Sequence, residues 1–98
     1  MVVGSLRMDV LLGDIHSLKG KRGVVRPVIA ELRRRFEVSV CETGDQDLHR
    51  RAEIGVAIAA TDAAHAGDVL ASCERLVAGR PELELLSART RLWHDEDE

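Results

Sequence analysis

The sequence predicts an α+β domain with ferredoxin-like topology, β-α-β-β-α-β, in which a four-stranded antiparallel sheet carries both helices on one face. Four stretches of alternating apolar residues indicate strands, and two stretches with apolar residues three or four positions apart indicate helices. Each helix lies between two strands and therefore completes a right-handed βαβ unit. We expect the strands in the spatial order 4-1-3-2.

The first strand is expected over residues 2–12, where apolar and polar residues alternate until Gly13 and Asp14 break the pattern. The side chains predicted to face the core are Leu6, Met8, Val10 and Leu12.

The first helix is predicted over residues 17–36, with Ser17 as its N-cap. Its apolar stripe comprises Val24, Val25, Val28, Ile29, Leu32 and Phe36. Gly23 and Pro27 are unfavourable inside a helix, by about 1 and about 3 kcal/mol respectively. Two alternatives follow: Pro27 kinks the helix around the core, or the regular helix begins only near Gly23.

The second and third strands are predicted to form an antiparallel hairpin, because only a short polar segment, residues 44–48, separates them. The second strand covers residues 37–43. In the third strand, the residues expected to point inward are Ile54, Val56 and Ile58.

The second helix is predicted over residues 63–78, capped by Thr61 and Asp62 and ended by Gly79. Its apolar stripe is Ala66, Val69, Leu70, Cys73, Leu76 and Val77.

The fourth strand is expected over residues 83–93, with inward residues Leu86, Ala88 and Leu92. The sheet face without helices would then carry Arg7, Asp9, Ser39, Cys41, Glu53, Gly55, Ala57, Ala59, Arg89 and Arg91, with Ser87 and Trp93 on the same side of the fourth strand.

The composition is that of one small globular domain, predicted over residues 1–94, followed by a disordered acidic tail over residues 95–98. The net charge of −3 includes the four negative charges of that tail, so residues 1–94 carry 14 basic and 13 acidic groups, a net of +1. We expect a cytoplasmic protein, because neither a signal-peptide pattern nor an apolar run of membrane-spanning length is present.

Positive charge is concentrated on one side of the first helix, where Lys19, Arg22, Arg26 and Arg33 share an arc of about 60°. Such an arc is either a solvated helix face or a surface for phosphates. In the second case, the candidate RNA-binding or phosphate-binding residues are Lys19, Lys21, Arg22, Arg26, Arg33, Arg34, Arg50 and Arg51.

No catalytic, metal or cofactor motif is recognisable. Cys73 lies in an apolar helix stripe, as a core residue does, and Cys41 has no predictable basic neighbour. The histidines are scattered without metal-ligand spacing. Because Phe36 and Trp93 are the sole aromatic residues, base stacking on the central strands is disfavoured.

Three segments resemble the YlxP family: SLKGKRGVV at residues 17–25, GDQDLHRRAEIGVA at residues 44–57, and TDAAHAGDV at residues 61–69. The resemblance covers roughly residues 5–92. It implies a ferredoxin-like fold of unknown function, whose genes often lie beside those of transcription-elongation, translation-initiation and ribosome-binding factors.

The family pattern includes six residues of unknown role, namely Gln46, Asp47, Arg51, Glu53, Asp62 and His65. A structural interpretation has Asp47 bonding turn amides and Arg51 pairing with Glu42 or Glu53. The alternative is a ligand-binding site.

The combined expectation is a non-enzymatic protein that contacts RNA, such as ribosomal RNA or a ribosomal particle, through the basic helix face. The alternative is a protein-interaction or homodimerisation module that uses the open sheet face or an edge strand. A deep pocket lined by Asp47, His49 and Glu53 would favour an enzyme instead.

Overall fold

The computed structural model of the protein describes residues 1–95 and confirms the predicted fold class. The elements in chain order are β1 (Val2–Leu12), α1 (Leu18–Arg35), β2 (Ser39–Gly44), β3 (Arg51–Ala60), α2 (Ala63–Ala78) and β4 (Leu83–His94). The strands lie in the order β2-β3-β1-β4, and all neighbours are antiparallel. The edge strands are therefore β2 and β4. No helix within residues 1–95 is long and apolar enough to cross a membrane.

The core lies between the helices and the inward face of the sheet. It is built from aliphatic side chains, the largest of which are Leu6, Met8, Leu12, Leu32, Ile54 and Leu70. The inward side chains predicted for the first and third strands are all buried. α2 packs on β1, β3 and β4, and α1 packs along β2 and α2. Both helices thus cover one face, and the other face of the sheet is open.

Both helices have side-chain caps at their N-termini. The Ser17 hydroxyl accepts a hydrogen bond from the Gly20 amide at 3.0 Å, and the Asp62 carboxylate accepts one from the His65 amide at 2.8 Å. α1 is helical from Leu18 onward with Pro27 inside it, so the alternative start near Gly23 is wrong. Pro27 lies on the exposed side of the helix, where its ring does not disturb the buried stripe.

The prediction that Leu86 faces the core is wrong, because β4 contains a bulge. Val10 pairs with Leu85, whereas Asp9 pairs with Ser87, so Leu86 is an extra residue in the ladder. One extra residue inverts the alternation of the side chains before it. Leu85 is consequently half-buried, and Leu86 is 42% exposed.

The boundaries of the hairpin differ from those predicted. β2 begins at Ser39 rather than residue 37, after a tight turn in which the Val38 amide donates to the Phe36 carbonyl at 3.0 Å. The connection to β3 covers residues 45–50. Of the predicted tail, the Asp95 amide donates to the Met1 carbonyl at 2.8 Å, and residues 96–98 lie outside the described part of the chain.

Candidate functional site

Four cations form what we call the α1 basic face, namely Lys19, Arg22, Arg26 and Arg33, and all four are exposed. Arg33 bonds the main-chain carbonyl of Val40, which places this face beside the edge strand β2. Within residues 1–95, Lys19, Arg22 and Arg26 form no ion pair. The face therefore carries uncompensated positive charge on a rigid element.

The other exposed cations of α1 surround Glu31, the one acidic residue of that helix. Arg34 and Arg35 lie 3.9 and 3.4 Å from its carboxylate, and Arg80, which follows α2, contacts it as well. Positive charge on this side of α1 is thus balanced internally, unlike that of the α1 basic face.

Lys21 does not belong to the exposed surface, although the sequence places it among the candidate phosphate ligands. It is 2% exposed, and its Nζ lies 2.7 Å from the Glu42 carboxylate and 2.6 Å from the Asp45 carbonyl. On the helical wheel Lys21 falls within the apolar arc, so the helix directs it onto β2. Its ammonium joins α1 to the loop that follows β2.

That loop is organised by main-chain geometry. Asp45 has φ of 61°, a left-handed conformation that aspartate tolerates better than most residues. The Asp45 carbonyl accepts from the Leu48 amide at 3.1 Å, and the Gln46 side chain donates to the Glu42 carbonyl at 3.1 Å. Gln46 therefore has a local structural partner. Within residues 1–95 no hydrogen bond from a turn amide to the Asp47 side chain is formed, and the Leu48 amide donates to the main-chain carbonyl of Asp45 instead.

Arg50 and Glu53 also have local partners. Arg50 Nε donates to the main-chain carbonyls of Leu12 and Gly13 at 3.3 and 2.8 Å, which ties the loop to the end of β1. Glu53 lies on the open face, 3.0 Å from Arg7, and accepts a bond from the Thr43 hydroxyl at 2.7 Å.

The partners predicted for Arg51 are taken by other cations. Glu42 pairs with Lys21, and Glu53 pairs with Arg7. Arg51 is half-buried, and within residues 1–95 its Nε has no hydrogen-bond partner.

The residues named for a possible enzymatic pocket are not brought together. Asp47 and His49 line an open groove of about 490 Å³ with Ile15, His16, Leu48, Arg50 and Arg51. Glu53 points to the open face of the sheet and lines a different groove. The three side chains therefore do not converge on one site.

The second groove, of about 620 Å³, lies on the open face between β1, β2 and β3 and reaches Arg33 of the α1 basic face. Small residues form much of its lining, among them Ser5, Ser39, Gly55 and Ala57. At Gly55 a Cβ atom would lie 2.5 Å from Thr43 Cγ2, so a side chain there would force Thr43 to move.

The sequence placed Trp93 on the open-face side of the fourth strand, but base stacking was considered only for the central strands, where rings are lacking. The contact between Trp93 and Arg91 was therefore missed. Trp93 is 46% exposed on the edge strand β4, and the Arg91 guanidinium lies 5.3 Å from the centre of its ring. The spacing of Arg89, Arg91 and Trp93, every second residue along one strand, was the signal present in the sequence.

The two thiols differ in environment. Cys73 is fully buried under α2, and burial raises the pKa of its thiol from 9.0 to about 11. It is therefore protonated and unreactive at neutral pH. Cys41 is exposed on β2, at the rim of the groove on the open face.

The two matches to known proteins agree on a family, and neither assigns a function. A family described as a protein of unknown function (DUF503) matches residues 3–90. The uncharacterized protein YlxP of Bacillus subtilis (strain 168) is 27% identical over 89 residues, which are 91% of this chain and 97% of that protein.

Proposed function

Given that the chain belongs to the DUF503 family of proteins of unknown function, we propose that it is a non-enzymatic protein that contacts RNA through the α1 basic face. The resemblance to the YlxP family inferred from the three sequence segments is confirmed by both comparisons. The gene neighbourhood implied by that resemblance favours a ribosomal particle as the RNA partner.

One observation carries the proposal: Lys19, Arg22 and Arg26 are exposed on one side of a helix and, within residues 1–95, have no ion-pair partner. With Arg33 they extend over about 21 Å along the helix axis, at 1.5 Å per residue. Cations held in a row repel one another, and a phosphate backbone relieves that repulsion while it releases its own counterions.

The remaining sequence candidates support this assignment less well. Lys21 is paired with Glu42, and Arg50 donates to two main-chain carbonyls. Binding of a phosphate by either cation would break these contacts within the fold. Arg34 shares Glu31 with two other cations, and Arg51 is half-buried. The proposed contact set is therefore Lys19, Arg22, Arg26 and Arg33.

Co-sedimentation with ribosomal particles at increasing salt tests the proposal. Retention should fall steeply with salt, and Arg26→Glu should reduce both the affinity and the salt dependence, by about 0.7–0.9 in log–log slope for each phosphate that is no longer neutralised. Arg75→Glu, on the exposed surface of α2, makes the same charge change elsewhere and should have little effect. Equal retention of the wild type and both variants would exclude the α1 basic face.

A second candidate function is self-association along β4. This edge strand is 12 residues long and carries exposed Leu86 and Leu92, features that favour pairing with another chain. Light scattering at tens of micromolar should then give twice the monomer mass. Leu86→Lys should restore the monomer, and a monomeric wild type would refute this alternative.

A further inference from the structure

Four side chains are brought together on the open face by the pairing of β1 with β4. Arg89 lies directly opposite Arg7, Arg91 lies opposite Ser5, and Trp93 lies opposite Val3. These positions alternate with the core residues of β1, so they face away from the helices. We call Arg7, Arg89, Arg91 and Trp93 the Trp93 platform.

The charges of this platform are incompletely balanced. Like charges directly opposite each other destabilise a sheet, and Arg7 faces Arg89. Glu53 pairs with Arg7 on the other side, and Asp9 accepts a hydrogen bond from Ser87. Within residues 1–95, Arg89 and Arg91 form no ion pair. An anionic ligand would supply the negative charge that Arg89 and Arg91 lack.

The exposed ring of Trp93 favours an anion that also carries a flat aromatic group. Arg91 contacts the Trp93 ring, which leaves a large aromatic surface fixed beside guanidinium groups. Aromatic rings next to cations are the means by which proteins hold single-stranded nucleic acid, since every base has a flat face for stacking. Inorganic phosphate or a carboxylate would use the arginines but not the ring.

The groove on the open face connects the platform to the α1 basic face. From β4 across β1 and β3 to β2 the distance is about 14 Å, three strand spacings. Arg7 and Arg33 both line that groove, much of the remaining lining is small, and Glu53 within it pairs with Arg7. Through Arg7, which lies opposite Arg89, the platform therefore borders the groove that leads to Arg33.

We propose that the Trp93 platform binds single-stranded RNA, with a base stacked on Trp93 and neighbouring phosphates held by Arg89 and Arg91, beside the Arg7–Glu53 pair. The inference rests on the proposed RNA contact and adds a second surface and the strandedness of the ligand. A duplex offers no free base face for the ring. A second copy seated on this face would bury Arg89 and Arg91, neither of which has an ion-pair partner within residues 1–95, at a high desolvation cost.

Trp93 is the one tryptophan of the chain, so its fluorescence reports on this site alone. Titration of the full chain with a short oligouridylate at low salt should quench the Trp93 emission to saturation, and a blunt-ended RNA duplex should not. Arg89→Glu should weaken binding about tenfold or more. That substitution places a carboxylate opposite Arg7, so the fold should be retained.

Anisotropy of a labelled oligouridylate separates stacking from charge. Trp93→Ala should lose roughly 5- to 150-fold in affinity, the equivalent of one stacked base, whereas Trp93→Phe should retain most of it. Arg75→Glu is the matched charge control.

Three results would overturn the platform: no quenching at low salt, equal quenching by single strand and duplex, or a change in emission that follows protein concentration without RNA. The last would assign the face to a second copy. If the Trp93 platform does not bind RNA but retention on ribosomal particles still depends on Arg26, the proposed function holds and the platform is rejected. If retention fails and quenching remains, the α1 basic face is the part that is wrong.

Discussion

Replacement of Lys21 by methionine tests whether this lysine is a structural cation. The substitution keeps the length and apolar stem of the side chain but removes the ammonium that lies 2.7 Å from Glu42 and 2.6 Å from the Asp45 carbonyl. Glu42 would then be left without its counterion, and the loop after β2 would lose its link to α1.

The expected cost follows from the burial of the two groups. Removal of one partner from a fully buried ion pair costs about 3–5 kcal/mol. The Lys21 side chain is 3% exposed but that of Glu42 is 23% exposed, so solvent screens part of the orphaned charge. We expect a loss of about 2–3 kcal/mol in the free energy of unfolding, a large share of the stability of a small domain.

Urea unfolding followed by circular dichroism measures this loss. With a slope near 1 kcal/mol/M, the midpoint should fall by roughly 2–3 M. Lys19→Met is the matched control, because Lys19 is exposed on the same helix and should change stability by less than about 0.5 kcal/mol. Adding Glu42→Gln to Lys21→Met should recover about 1 kcal/mol, since a neutral amide needs no counterion.

Equal stability of Lys21→Met and Lys19→Met would refute the structural assignment of Lys21. The same variants also distinguish a lysine that stabilises the fold from a lysine that contacts RNA. Under conditions where Lys21→Met remains folded, its retention on ribosomal particles should match that of the wild type, whereas Lys19→Met should be retained less. A loss of retention in folded Lys21→Met would return this lysine to the phosphate-binding set.

Further predictions concern packing, capping and the thiols. Gly55→Ala should cost about 1–3 kcal/mol because its Cβ would meet Thr43 Cγ2 at 2.5 Å, and Thr43→Ser, which removes that methyl group, should rescue part of the loss in the same urea assay. Asp62→Ala should cost about 1 kcal/mol through loss of the α2 cap, and an unchanged urea midpoint would contradict that cap. A thiol reagent should modify Cys41 in the folded protein at neutral pH but Cys73 only after unfolding. Because burial raises the pKa of Cys73 from 9.0 to about 11, the unfolded chain loses that proton first as pH rises. The contribution of Cys73 to the free energy of unfolding should therefore be constant below about pH 9 and fall between about 9 and 11, and Cys73→Ala should remove this contribution.

The elements with strong local signals were predicted almost to the residue. β1 alternates over its whole length and α2 has a side-chain cap, one continuous apolar stripe and a terminal glycine. These signals act between residues at most four positions apart, so the sequence alone displays them. The α1 basic face was likewise predictable, because helical periodicity groups its cations.

The candidate site was predicted less completely, for reasons that differ from residue to residue. Lys21 belongs to the same run of cations as Arg22, but its position on the wheel sends it towards Glu42, more than 20 positions along the chain. The bulge in β4 exists only in relation to Asp9 and Val10. The inward position of Lys21 could be read from the helical wheel, but neither its partner Glu42 nor the bulge in β4 can be seen in a local pattern.

The sequence by itself determined the order of the elements, the stripe that each helix buries and the cations that α1 presents to solvent, since all of these follow from the helical and strand repeats. Tertiary structure alone decided that Lys21 pairs with Glu42 and that Arg7 meets Arg89 beside Trp93. The physical reason is register: which side chains face each other across a sheet depends on how distant strands align, and a single extra residue changes that alignment.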